Sequence, residues 1–297
     1  MTALLTYLLT YSFPCVDLSL AGTMSGMEEG SGTRSSLLWE VKRLLEESPK
    51  LPQVLLMENV TQVHNENNRE HFQEWIKYLE LKGYKNFWQD MNSKNYGVAQ
   101  SRRRTIMVSF LGEGWFKFPK PYKLKKKMAD YLEENVDEKY FLTEYTQKLL
   151  IDNLLPNVKV DKGSDLVIDK VLVKQSGGKI LTPCKIRGVA DLNFPKSETR
   201  RGRVIKGGDI SPTLTTHNLL NVLESGTWED EKNKYLIKIR FLTSREYWRL
   251  MGFSDEDYEK AQKINSDRQL YRQAGNSIVK NVLCEVFRQM IERKGGE

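Results

Sequence analysis

The feature that most constrains this chain is the run Val54-Leu-Leu-Met-Glu-Asn-Val60, together with what flanks it. It follows Pro52, is too short for a helix and is apolar without alternation, as a strand covered on both faces has to be. Residues 35–47 upstream (Ser-Ser-Leu-Leu-Trp-Glu-Val-Lys-Arg-Leu-Leu-Glu-Glu) carry apolar side chains at helical spacing. Residues 70–82 downstream do the same and are closed by Gly83. Residues 4–13, rich in Leu, Tyr and Thr, run into Pro14-Cys15 and predict another buried strand. Beyond residue 86, Phe-Trp-Gln-Asp-Met-Asn and Arg-Arg-Thr-Ile-Met-Val-Ser-Phe-Leu predict strand, turn and strand. Strand alternating with helix predicts an α/β layered sheet.

The texture changes near residue 111. Between Lys117 and Lys127 six lysines are mixed with prolines, which reads as an exit linker. Residues 140–235 show short, irregular strands without clear helical periodicity, and helical patterns return from about 240 in Ser-Arg-Glu-Tyr-Trp-Arg-Leu and Asn-Ser-Ile-Val-Lys-Asn-Val-Leu-Cys-Glu-Val-Phe. We therefore assign residues 1–115 and 240–297 to one domain, 116–139 to a linker and 140–239 to a second, smaller, mostly β or irregular domain. Residues 22–33, rich in Gly and Ser beside a buried strand, predict a mobile loop.

Charge and cysteine usage narrow the class. With 46 Lys and Arg against 39 Asp and Glu, the net charge is +7 and the pI is near 9.1, which permits a polyanionic partner without proving one. No apolar run approaches the ~20 residues of a membrane span. The opening segment has neither the basic start nor the cleavage site of a secretory signal. Three widely spaced cysteines, Cys15, Cys184 and Cys284, exclude a disulfide scaffold and a CxxC zinc cluster and point to a reducing cytoplasm. The three histidines, His64, His71 and His217, lack metal-ligand spacing.

Several residues could carry chemistry. Cys15 stands where a buried strand meets a Gly-rich loop, so it is either a cleft nucleophile or an ordinary buried thiol. Cys184 and Cys284 read as structural thiols, the latter on an apolar helix face. Glu58 ends the second buried strand, where ligand crevices of such sheets lie, or is a plain strand-end carboxylate. Arg102 and Arg104 share one face of the following strand and Arg103 takes the other. Such a pair suits a carbonyl or phosphate, or is merely a basic surface strand. Lys196, Arg200, Arg201, Arg203 and Lys206 form a basic cluster expected to face phosphates. A rival reading pairs Cys15 with His64 as a cysteine hydrolase, but leaves the arginines unexplained.

The order of these features carries a resemblance. Phe-Pro-Cys15, a Gly-rich loop, Glu58-Asn-Val and Tyr96-Gly-Val-x-Gln-x-Arg-x-Arg104 closely resemble the DNA cytosine-5 methyltransferase family. Arg240-Phe-Leu-Thr-x-x-Glu-x-x-Arg-Leu-x-Gly-Phe253 is similar to the family's ninth motif, and Tyr271-Arg-Gln-Ala-Gly-Asn-Ser-Ile-Val279 to its tenth. The resemblance implies a Rossmann-like methyltransferase sheet with a target recognition domain at 140–239. It implies Cys15 as nucleophile on C6 of a flipped cytosine, Glu58 on N3 and the exocyclic amine, Arg104 on O2 and Arg102 in support. Ser19, Arg34 and Thr213 match phosphate-contacting or loop positions, and Pro14, Asn276 and Ser277 the site of S-adenosylmethionine. Double-stranded DNA is the implied partner, in a bacterial or phage setting. Val16 and Leu18 depart from the family's Gln and Phe, which predicts tuning. The family's opening Phe-x-Gly-x-Gly turn has no counterpart before Leu4, so the sheet is expected to lack strands and most of the donor site. A truncated gene product, a split enzyme with a complementing N-terminal subunit and an incomplete sequence are the alternatives. A catalytically silent DNA-binding remnant is the rival function.

Overall fold

A computed structural model describes residues 7–14, 18, 34–175, 180–197 and 202–292, the side chains of residues 34 and 35 excepted. The chain forms two compact units: residues 1–92, 103–120 and 284–297 in unit 1, and residues 93–102 and 121–283 in unit 2.

Unit 1 is built on a sheet with the order β1 (Leu8–Tyr11), β2 (Val54–Asn59), β4 (Arg103–Leu111), β3 (Tyr84–Asn92). β1 and β2 are parallel, with Tyr11 opposite Met57, whereas β4 runs antiparallel to both its neighbours. All six residues of β2 are buried, which is why its sequence does not alternate. Leu55 and Met57 point to the face covered by α1 (Leu38–Glu47) and α2 (Arg69–Leu81). Those helices contribute Leu38 and Leu45, and Phe72, Trp75 and Leu79, at helical spacing. Burying each of these large side chains stabilises the unit by roughly 1.5–3 kcal/mol. Trp75 donates its indole N–H to the Tyr11 hydroxyl at 3.0 Å, tying α2 to β1. Gly83, at φ +90°, ends α2 in the left-handed region that glycine enters without strain.

Unit 2 has an antiparallel sheet with the order β5 (Lys159–Asp161), β10 (Asn233–Phe241), β9 (Asn221–Glu229), β8 (Val189–Ala190), and a separate hairpin of β6 (Lys170–Lys174) and β7 (Leu181–Lys185). A helix that the sequence reading missed, α3 (Glu144–Leu154), lies inside the stretch expected to be irregular. Its signal was present: Thr143 caps the Thr146 N–H, and Gln147, Leu150, Ile151 and Leu154 are the buried positions of one helical face. The helices α4 (Ser244–Leu250), α5 (Asp255–Gln262) and α6 (Asp267–Asn276) start at Thr243, Ser254 and Ser266, each accepting a backbone N–H three residues on. Helix α7 (Lys280–Glu292) begins in unit 2 and ends in unit 1. None of the described helices is long and apolar enough to cross a membrane.

Cys184 is fully buried, and burial pushes its thiol up to about 12. Cys284 corrects the sequence reading: it lies on α7 but is exposed, because the buried stripe of that helix runs through Val282 and Val286.

Candidate active site

In unit 1, the parallel β1–β2 pair brings the chain leading to Pro14 beside the end of β2. Asn59 fixes that end: its Nδ2 donates to the Phe13 carbonyl at 3.0 Å, and its Oδ1 accepts from the Val60 N–H at 2.8 Å. Glu58, one residue earlier, is 7% exposed. Its Oε1 sits 3.1 Å from Nε of Arg104 and its Oε2 accepts from the Ser12 hydroxyl at 3.4 Å. A buried carboxylate is tolerable only with such partners. Here the partners also fix where both of its oxygens lie. Arg104 turns its Nη1 to the carbonyl of Arg103 at 2.8 Å. Arg103 is exposed and reaches Asp90 at 3.4 Å, as alternation along β4 requires. His64 bonds the same Asp90 through Nε2 at 2.9 Å and packs on Trp88, so it is held in a structural network.

In unit 2, Arg102 lies just before β4 and is 5% exposed. Its guanidinium donates to the carbonyls of Leu214 (3.0 Å), Gly275 (2.9 Å) and Ser277 (3.1 Å). One side chain thus joins the Ser211–Thr216 segment to the end of α6. Gln100 adds to the joint, donating to the Leu250 carbonyl at 2.9 Å and accepting from the Leu214 N–H at 3.1 Å. Thr213 donates its hydroxyl to the Ser101 carbonyl at 2.7 Å. Gly275 has to be glycine: a Cβ there would lie 2.4 Å from the carbonyl carbon and oxygen of Thr215. Asn276 ends α6 with its side chain exposed, and Ser277 donates its hydroxyl to the Ile278 carbonyl at 3.3 Å.

The site expected from the sequence is therefore reached in parts. Glu58 meets Arg104 in unit 1, while Arg102, Thr213, Asn276 and Ser277 belong to unit 2. Arg102 and Arg104 have separate partners, since the strand starts at Arg103 and alternation does not extend back to Arg102. Cys15, Val16, Ser19, the whole of the loop 22–33 and the side chain of Arg34 lie outside the described residues, as do Arg200 and Arg201. Pro14 is half-buried, and Leu18 is fully buried in the unit 1 core. Arg203 does not face phosphates: it is 1% exposed and donates to the carbonyls of Asp191, Asn193 and Phe194. Ser12, Asn59 and Gln100 are positioning residues that the sequence reading left out. Asn59 and Gln100 stood inside the quoted motifs, which was the available signal.

Comparison with known proteins supplies the family. The family described as C-5 cytosine-specific DNA methylase matches residues 6–292. Over 284 residues the chain is 33% identical to the type II methyltransferase M2.ScrFI of Lactococcus lactis subsp. cremoris, covering 95% of this chain and 66% of that protein. Over 293 residues it is 33% identical to the orphan methyltransferase M.SssI of Spiroplasma monobiae, covering 97% and 66%. The chain thus spans just under two thirds of the length of these relatives. Its α/β fold is that of the S. pombe Dnmt2 methyltransferase, with a TM-score of 0.58 at 17% identity over 97% of this chain and 78% of that one. With that Rossmann-like fold, and with the motifs that hold Glu58, Arg104 and Arg102 in place, the chain belongs to the C-5 cytosine-specific DNA methylase family.

Proposed function

We propose that this chain supplies the cytosine-activating and DNA-recognition parts of a DNA cytosine-5 methyltransferase. The observation that carries this reading is the Glu58–Arg104 pair, held at the buried end of β2 beside the strand that leads to Pro14-Cys15. Cytosine C5 is a poor nucleophile. When the Cys15 thiolate bonds to C6, the ring electrons move toward C5 and the ring becomes an enamine. Glu58 meets N3 and the exocyclic amine and offsets the charge that develops there, while Arg104 holds O2 and the carboxylate together. C6 is out of reach in a stacked duplex, so the base is flipped out at a cost of a few kcal/mol. The loop from Gly22 to Ser36, with Arg34, closes over it, Ser19 contacts a phosphate, and Thr213 does so once its hydroxyl turns from the Ser101 carbonyl. Residues 140–239 act as the target recognition domain, with 116–139 as its connection. The protein works in the cytoplasm of a bacterium, in keeping with the bacterial and phage sources of its relatives.

S-adenosylmethionine supplies an electrophilic methyl group when bound. The residues proposed for it here do not make a complete site. The Gly275 and Ser277 carbonyls accept from Arg102, and the Ser277 N–H donates to the Ala274 carbonyl. Of that segment, the exposed Asn276 amide is left to reach a donor, and Pro14 adds only apolar surface. We therefore derive no step through the donor and assign the rest of its site to a complementing N-terminal subunit or segment.

Release of tritium from DNA labelled at cytosine C5 tests the reading, because it requires attack at C6 but not the donor. The wild-type chain should release it, Cys15→Ser should not, and Glu58→Gln should be slowed about 10²–10⁴-fold. Release by Cys15→Ser at the wild-type rate would overturn the assignment. Duplex binding with no release from the wild type would favour the silent DNA-binding remnant instead.

A further inference from the structure

The lysine-rich stretch that reads as an exit linker is no free tether. Within unit 2 the Tyr122 N–H donates to the Asn95 carbonyl at 3.0 Å and the Met128 N–H to the Asp209 carbonyl at 3.1 Å. Met128 is fully buried, Tyr131 is 5% exposed, and the Tyr122 ring meets Tyr96 edge-on. Residues 122–128 are thereby strapped across the segments around residues 95 and 209, and a cavity of about 220 Å³ remains beneath them. Lys94, Lys123, Lys126, Lys127 and Lys206 line it, with Asp209 as the lining carboxylate.

The charges do not cancel. Asp209 is already paired with Lys185 at 2.6 Å, and the Asp130 carboxylate accepts the backbone N–H of Lys127 at 2.7 Å. Lys126 lies over the Tyr131 ring. Among the described residues, Lys123, Lys127 and Lys206 form no ion pair with a carboxylate. Holding like charges around one cavity raises the energy of the folded state unless an anion enters it. Backbone geometry points the same way. Residues 206–208 are all left-handed (φ 46°, 64° and 87°), a turn that suits glycine throughout, yet its first position is a lysine.

We propose that this cavity is a phosphate-binding site that seats the sugar-phosphate backbone of duplex DNA, at a position separate from Thr213. This rests on the reading of the chain as DNA-directed. A flexible chain of lysines would bind any polyanion loosely. A strap fixed at both ends sets the spacing of its charges and suits a regular backbone.

The test is the salt dependence of binding to a fluorescent duplex, for the full chain and for the variant K123Q/K127Q/K206Q. Each lost phosphate contact lowers the slope of log affinity against log salt by about 0.9, so the triple variant should lose about 2–3 and each single variant about 1. The triple Lys→Arg variant should keep the wild-type slope and denaturant midpoint, and the Lys→Gln variants should unfold no earlier than the wild type. Duplex binding with an unchanged slope in the triple Lys→Gln variant would overturn the site and leave the catalytic reading standing. A reduced slope without tritium release would sink the catalytic reading and support the site. A wild-type chain that binds no duplex would overturn both.

Discussion

Gly275→Ala is the substitution whose cost can be worked most directly from the structure. The new Cβ would sit 2.4 Å from the Thr215 carbonyl carbon and oxygen and 2.5 Å from the Thr216 nitrogen. All three are backbone atoms, so no side chain can swing away. Ordinary contact between carbons needs about 3.5 Å, so the two segments must part by about 1 Å. Arg102 opposes this, because it bonds Leu214 on one side and Gly275 and Ser277 on the other at 2.9–3.1 Å. Opening by 1 Å would stretch at least one of these bonds out of range. Overpacking costs typically 1–3 kcal/mol and a charged hydrogen bond about 1.5–3, so we expect a loss of about 3–5 kcal/mol. Urea unfolding of the full chain, followed by a probe in unit 2, is the assay. The midpoint should fall by roughly 1 M or more. Because the strain acts through Arg102, Arg102→Met should cost less in the Gly275→Ala background than in the wild type, by about 1–2 kcal/mol. A Gly275→Ala midpoint within 0.3 M of wild type, or strictly additive losses, would refute the reasoning.

Arg240→Met should destabilise by about 3–5 kcal/mol, because Arg240 and Glu246 are both fully buried and the truncation leaves the carboxylate without its partner; a loss below about 1 kcal/mol in the same assay would contradict this. Acid should also destabilise. The Lys148 ammonium beside Asp230, the Arg249 guanidinium beside Asp255 and the Ser254 hydroxyl beside Asp257 hold these carboxyls below their usual range. Folded values below the unfolded ones give a stabilisation that is complete above about pH 5 and lost as pH falls through the folded values. A urea midpoint that stays level from pH 5 to pH 2.5 would count against these pairs. Iodoacetamide should alkylate Cys284 in the folded chain and spare Cys184 until it unfolds; native labelling of Cys184 would show that its burial is wrongly assigned.

Much of unit 1 was legible in the sequence because its elements obey local rules. The unbroken apolar run of β2 and the helical stripes of α1 and α2 follow from which faces are buried. The placement of Glu58 and Arg104 was legible for a related reason: they stand at the same end of two adjacent antiparallel strands, and a motif marks each. What failed was long-range. Nothing local distinguishes Arg203, a buried clamp on three carbonyls, from Lys196 and Lys206, which are exposed. Arg102 looked like the strand partner of Arg104, but its three carbonyls come from residues more than 100 positions away. Helix α3 is a different case: its cap and its buried face are local, but they stand among short irregular strands whose texture masks the helical period.

The two-unit division also has a kinetic consequence. Unit 1 is assembled from three stretches of chain, and residues 121–283 lie between the second and the third. The third brings Phe287, Met290 and Ile291 of α7 to a cavity shared with Tyr7, Val54 and Phe110. During synthesis the ribosome finishes every residue of unit 2 before it supplies that last stretch. Closing so long a disordered loop costs about 4–5 kcal/mol of chain entropy. The order of manufacture therefore favours unit 2 forming first, with the sheet of unit 1 waiting, its α7 face uncovered, for the rest of that helix.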